Sequence, residues 1–145
     1  MTSVRGCAAI AACALALARS AAVEASPAQD YMLYCMGCHG ARAEGVPGKV
    51  PPLANALSRF MRTAAGRDYV LRVPGAANSA LPDAQLAAVL NWVASTFDTQ
   101  SSRVPPFTAQ EVTRVRRSPL VSVLETRNAV IKSLAATGAA PPASY

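Results

Sequence analysis

The single histidine of this chain closes the pentapeptide Cys35-Met36-Gly37-Cys38-His39. C-x-x-C-H is the attachment sequence of c-type haem, in which both thiols bond to the porphyrin and the histidine ligates its iron. Two cysteines three positions apart on a helical turn can reach the two vinyl groups on one edge of the macrocycle. Because the chain has no second histidine, ligation of the iron by two histidines is excluded.

The N-terminus has the layout of a secretory signal peptide. Arg5 precedes an apolar run over residues 6–18, and small residues follow, with cleavage expected after Ala22 or Ala25. The run is too short for a membrane-spanning helix. Two alternatives stay open, a permanent N-terminal anchor and a lipoprotein signal ending at Cys13. Export predicts a periplasmic protein whose mature form keeps only the two cysteines of the motif.

Two other interpretations of the motif are excluded, one by the number of ligands and the other by the structural context. A structural zinc site needs four ligands, usually cysteine and histidine, and the mature chain offers only Cys35, Cys38 and His39. A thioredoxin-type thiol pair needs a preceding strand in a βαβ unit, whereas a helical pattern precedes these cysteines. Covalent attachment of one haem c is therefore the prediction.

The elements that must position the motif are all helical. Ser26-Pro27 begins a helix that runs to Cys38, and a glycine- and proline-rich loop follows. The clearest helix is the one that starts at Pro82, because apolar residues recur at helical spacing to Phe97. The remaining predicted elements are short helices at 53–62 and 67–73 and a loop from Pro74 to Leu81.

A helical extension follows a linker over residues 101–106. Thr108-Ala109-Gln110-Glu111 is a capping box that starts a short helix to Arg117. Ser118-Pro119 is then predicted to start a longer helix that ends near Gly138, before a disordered tail over 139–145. The predicted organisation is a signal peptide over 1–25, a helical domain over 26–99, and the linker and extension over 100–145.

The segment from Ser26 to Phe97 resembles a small class I cytochrome c. The resemblance rests on Cys35–His39, on Val50-Pro51-Pro52-Leu53, and on the helix over 81–97. It implies an all-α, cytochrome c-like domain around one covalently bound haem. It also implies that a proline carbonyl accepts a proton from His39, with Pro51 the candidate and Pro52 the alternative. Trp92 is expected at the crossing of the first and last helices and in the haem pocket.

One departure from the family concerns the sixth iron ligand. The family usually places a methionine on the loop before the last helix, but residues 74–81 contain none. Met61 follows His39 too closely and has apolar neighbours typical of a core residue. Asn78 and Lys49 are the other candidates, and an open or water-bound position is the remaining alternative. Without methionine we expect a lower reduction potential.

The charge balance favours an acidic partner. The sequence has 14 Lys and Arg against 8 Asp and Glu. An exported protein seldom meets nucleic acid, so an acidic redox partner, the haem propionates or an ordinary solvated surface explain the excess. In the extension, Arg114, Arg116 and Arg117 are expected on a solvated face. The basic residues that crowd the segment after the motif are Arg42, Lys49, Arg59, Arg62, Arg67 and Arg72.

These features together predict a periplasmic one-electron carrier that is not an enzyme. One alternative is a ligand-binding or catalytic haem protein that uses an open sixth iron position. Another is a dedicated cytochrome subunit of a dehydrogenase, docked through the C-terminal extension. The expected partners are redox proteins, such as a dehydrogenase or an oxidase, and neither nucleic acid nor a membrane span is expected for the mature protein.

Overall fold

The computed structural model describes residues 24–99, 104–118 and 120–141. Within these ranges the protein is all-α, as predicted, and its only β feature is an isolated bridge between Val46 and Val50. The predicted signal peptide lies outside the described residues as far as residue 23. The described residues form eight helices: α1 Pro27–Tyr34, α2 Met36–His39, α3 Leu57–Phe60, α4 Ala64–Arg72, α5 Pro74–Ala77, α6 Asp83–Phe97, α7 Ala109–Val115 and α8 Val123–Ala136.

Helices α1 and α6 cross and pack together at the centre of the fold. A capping box starts α1, since the Ser26 side chain accepts a hydrogen bond from the Gln29 N–H and the Gln29 side chain accepts one from the Ser26 N–H. The predicted apolar stripe of α6 is confirmed as core. Its buried residues are Leu86, Ala87, Val89, Leu90, Val93 and Ala94.

The prediction of one helix from Pro27 to Cys38 is wrong at Cys35, which separates α1 from α2 with φ −127° and ψ −40°. The predicted helix over 53–62 is shorter, because Asn55 adopts a left-handed φ of 54° that a helix cannot contain. Helix α4 starts three residues earlier than predicted, since the Thr63 side chain caps the Gly66 N–H. The predicted loop over 74–81 contains the short helix α5.

The extension packs on the remainder of the protein. Helix α7 lies against α6 and α4, and α8 lies against α4 and α3. The prediction that Ser118-Pro119 starts α8 is wrong: Ser122 is the N-cap, and its side chain accepts a hydrogen bond from the Glu125 N–H. Helix α8 buries Val130 and Leu134.

The predicted disordered tail also differs from the structure at its start. Ala139 is buried, and the carbonyl of Ala140 accepts a hydrogen bond of 2.7 Å from Arg59. The Arg127 guanidinium stands over the Phe60 ring, 5.8 Å from its centroid, and ties α8 to α3 in the same region. In the described ranges we find no helix with the length and apolar character needed to cross a membrane.

Candidate haem-binding site

Helix α2 carries the motif as a single tight turn. The amides of Cys38 and His39 both donate to the Cys35 carbonyl, at 3.2 and 3.0 Å. Gly40 ends the turn with a left-handed φ of 78°, a conformation that glycine adopts without steric cost. Cys35 is half-buried and Cys38 is exposed. The two thiols and the imidazole therefore leave the backbone from one compact turn.

The ring of His39 is oriented by the loop that follows the motif. Its Nδ1 lies 3.1 Å from the carbonyl oxygen of Pro51. Because a carbonyl only accepts, Nδ1 must carry the proton, and Nε2 keeps the lone pair that a metal needs. Burial lowers the pKa of His39 below its ordinary value, and the hydrogen bond to Pro51 opposes that shift. The imidazole is therefore neutral at neutral pH, which is its metal-binding form.

Backbone contacts hold the Pro51 loop against the motif. The Gly45 amide donates to the His39 carbonyl at 2.8 Å, and the amide of Leu53 donates to the carbonyl of Ala43, which is fully buried, at 2.9 Å. Between them, Lys49 donates back to Val46 at 2.9 Å in a turn with Pro47 and Gly48 at its centre. Proline followed by a glycine at φ 72° is the pattern of a type II turn. These local signals place the Pro51 carbonyl at Nδ1.

The electrostatics of the cysteine pair differ from those of a thiol redox site. Burial, and to a smaller extent the charges of Asp30 and Cys38, raise the pKa of the Cys35 thiol above its ordinary value. Redox-active C-x-x-C pairs depend instead on a lowered thiol pKa, which supplies the reactive thiolate. The environment of Cys35 therefore lacks the thiolate stabilisation that a thiol-exchange nucleophile needs.

The structure places Trp92 at the crossing of α1 and α6. Its ring centroid lies 5.5 Å from that of Tyr31 and 5.4 Å from that of Phe97. Tyr31 also donates from its hydroxyl to the Gly40 carbonyl at 2.6 Å, so the aromatic cluster is bonded to the end of the motif turn. This contact was not predicted, although the sequence carries a signal for it, an aromatic residue one helical turn before Cys35.

The candidates for the sixth ligand lie in different surroundings. Met61 is only 2 % exposed and lines a cleft with Trp92, Val104 and Pro106, next to the extension. Asn78 is exposed at the C-terminal end of α5, where its N–H donates to the Pro74 carbonyl. Lys49 is exposed in the turn that leads into Pro51, so it belongs to the segment that supports His39.

Three of the arginines for which an acidic partner, the haem propionates or a solvated surface was expected are bonded to the extension. Arg67 forms two hydrogen bonds of 2.6 Å to the Glu111 carboxylate. Arg59 and Arg72 donate to backbone carbonyls of the extension. The prediction that Arg116 lies on a solvated face is wrong, because its guanidinium pairs with Asp83 at 2.7 Å and its side chain is only 16 % exposed. These long-range pairs have no local signature in the sequence.

An all-α fold whose first and last core helices cross beside a C-x-x-C-H turn, with the histidine bonded to a proline carbonyl, defines a small monohaem c-type cytochrome. The comparisons agree. Cytochrome c-552 of Thermus thermophilus is 32 % identical over 106 aligned residues, which cover 59 % of this chain and 81 % of the relative. A second cytochrome c-552, from a named strain of the same species, is also 32 % identical, with 72 % of its length covered.

No family model matches the chain. The identity to these relatives, and the share of their length that is covered, nevertheless show that the chain belongs to the family of c-type cytochromes. It carries one covalently bound haem c and is an electron-transfer protein, not an enzyme. Its partners are redox proteins.

Proposed function

We propose that this protein is a periplasmic electron carrier in which Cys35 and Cys38 hold the haem and His39 is the proximal iron ligand. When bound, the haem supplies an iron that cycles between the ferric and ferrous states. The observation that carries the assignment is the 3.1 Å contact between His39 Nδ1 and the Pro51 oxygen. It fixes the tautomer that presents Nε2 to a metal and makes that nitrogen a stronger donor.

Export is the second part of the proposal. Residues 1–25 have the order of charge, apolar run and small residues that a signal peptide needs, and haem attachment after export then occurs in the periplasm. A redox partner, such as a dehydrogenase or an oxidase, would exchange electrons with this protein there.

The sixth iron position is the third part of the proposal, and we assign no methionine to it. The loop over 74–81 supports this assignment, because it contains no methionine and offers only weakly coordinating side chains, the Asn78 amide and the Ser79 hydroxyl. A weakly ligated position also favours a second function, the binding of a small ligand to the iron. Asn78 is the residue of this loop whose side-chain amide is a candidate weak ligand.

The experiment compares three holoproteins, the wild type, Met61→Leu and Asn78→Ala. Mass spectrometry of the wild type should show one haem, and its loss in a Cys35→Ala, Cys38→Ala variant identifies the attachment site. The ferric optical spectrum should lack the methionine–iron charge-transfer band and should be the same in Met61→Leu. A band that disappears in Met61→Leu would overturn the assignment of the sixth position.

Carbon monoxide separates the two functions. A carrier whose sixth position is filled should bind the gas slowly in the ferrous state at neutral pH. Binding as fast as in a five-coordinate haem would instead favour the ligand-binding function. If Asn78 is a weak ligand, Asn78→Ala should bind carbon monoxide faster than the wild type, while Met61→Leu should bind it at the wild-type rate.

A further inference from the structure

The loop over residues 73–81 has few anchors of its own. Within it, only Ala76 and Leu81 are buried. Its short hydrogen bonds are internal, from Ala77 to Val73 and from Asn78 to Pro74, at 2.9 and 3.1 Å. A segment with so little buried apolar surface opens locally at low free-energy cost unless something outside it holds its ends.

The extension holds the C-terminal end of this loop. The Arg116 guanidinium donates to the Leu81 carbonyl at 3.0 Å and pairs with the Asp83 carboxylate at 2.7 Å. The Thr113 hydroxyl, one helical turn earlier on α7, donates to the same carboxylate. The Arg116 and Asp83 side chains are 16 and 19 % exposed, so this ion pair is shielded from most solvent screening.

The extension also holds the N-terminal end. Arg72 is the last residue of α4. Its Nε donates to the Ser118 carbonyl at 2.6 Å, and its Nη1 pairs with the Asp68 carboxylate at 3.0 Å. Arg72 immediately precedes the loop, and Leu81 is its last residue. Their partners in the extension, Ser118 and Arg116, are two positions apart in the sequence. A short stretch of the extension bridges both ends of the loop.

We infer that the extension is a clamp on the loop over 73–81, and that Arg116 and Arg72 are positioning residues that limit access of small ligands to the sixth iron position. The inference rests on the proposed function, because it takes this loop to be the one opposite His39. Its physical basis is that closing both ends of a flexible segment against a packed helix lowers the population of open conformations. A small-ligand pocket on the iron is then controlled by residues that do not touch the iron.

The test uses the full holoprotein and the variant Arg116→Gln, with Arg117→Gln as the matched control. Arg117 is the neighbouring residue, is exposed, and loses the same charge. Native-state hydrogen exchange of the Ala77 and Asn78 amides should be about tenfold faster in Arg116→Gln, the size expected when a charged hydrogen bond is lost. Exchange of the Val93 amide in α6 should be unchanged, which separates local opening from general destabilisation.

Ligand kinetics give the second readout. Association of imidazole with the ferric protein should be about tenfold faster in Arg116→Gln, in step with the exchange rates, and unchanged in the control. Arg116→Lys should lie between them, since an ammonium keeps the charge but cannot reach both acceptors with a planar fork. Arg72→Gln should also accelerate loop exchange and imidazole association. It replaces Arg116→Gln in the test if that variant does not fold.

The outcomes distinguish the clamp from the proposed function. Faster loop exchange with unchanged imidazole association would overturn the inference, since the loop would then not control the iron. Equal acceleration of the Ala77 and Val93 amides would overturn it too, because Arg116 would be merely a stabilising residue. Absence of covalent haem in the wild type would instead contradict the proposed function and would leave the exchange result to decide whether the extension clamps the loop.

Discussion

Gly45 and Gly48 offer a matched pair for testing how the proximal loop is built. They have the same left-handed φ, 71° and 72°, so alanine pays the same backbone cost at both positions. They differ in their surroundings. A Cβ at Gly45 would overlap the Val50 carbonyl oxygen and stand 2.8 Å from the Pro51 carbonyl carbon, whereas a Cβ at Gly48 would meet no atom within 4 Å.

The expected magnitudes follow from this difference. Gly48→Ala should cost about 1 kcal/mol of unfolding free energy, the backbone cost of a left-handed alanine in a turn. Gly45→Ala should cost that amount plus about 2 kcal/mol, because the Cβ forces backbone atoms to move by several tenths of an ångström in a closely packed loop. The displaced atoms include the carbonyl group of Pro51, so the variant should also loosen the hydrogen bond to His39.

The assay is guanidinium denaturation of the holoprotein, followed by circular dichroism, with exchange of the His39 Nδ1 proton as a local readout. We expect this proton to exchange about tenfold faster in Gly45→Ala and at the wild-type rate in Gly48→Ala. Equal stability losses in the two variants, or an unchanged Nδ1 proton in Gly45→Ala, would refute the reasoning that the Gly45 contact sets the position of the Pro51 carbonyl.

Two further predictions concern the extension. Phe107 is 3 % exposed and lies under the Arg67 guanidinium, so Phe107→Ala should lower the unfolding free energy by about 3 kcal/mol in urea denaturation, whereas Val121→Ala at a fully exposed position should change it by less than about 0.5. The Arg67 hydrogen bonds lower the pKa of Glu111 below 4.5. Its contribution to stability is therefore complete above pH 4.5 and is lost as the pH falls through the folded-state value. Unfolding midpoints should fall more steeply below pH 4.5 in the wild type than in Glu111→Gln.

The features near the motif are predictable from sequence because they are local. Five consecutive residues bring the thiols and the imidazole to one turn. In the following loop, Pro47-Gly48 forms a turn and Pro51 restricts the backbone, so the path by which the chain comes back to the motif is constrained. The crossing of α1 and α6 also has a sequence signal, since α6 shows a helical apolar stripe. Within these elements the prediction failed at Cys35, whose φ of −127° and ψ of −40° interrupt the helix that leads into the motif.

The placement of the extension was not predictable for a different reason. The contacts that hold it join residues far apart in sequence: Arg67 and Glu111 are 44 positions apart, and Arg59 and Ala140 are 81 apart. Glu111 shows the difference within one side chain. The capping pattern places its carboxylate near the Thr108 amide, but no local pattern predicts the two hydrogen bonds of 2.6 Å that the same carboxylate accepts from Arg67.

This packing changes how a role in partner docking must be tested. Asn91 on α6 exchanges two hydrogen bonds with the backbone of Phe107, at 2.8 and 2.9 Å, so a truncation after residue 100 would leave that amide unpaired and uncover the apolar face beside it. Loss of electron transfer in such a truncated protein would report unfolding as readily as lost docking. Substitutions at exposed apolar positions of the extension, Val121 and Leu124, avoid this ambiguity, because these side chains are 106 and 62 % exposed and contribute little to the core. A slower electron transfer in Leu124→Asp with unchanged stability would therefore identify docking, and only that combination would.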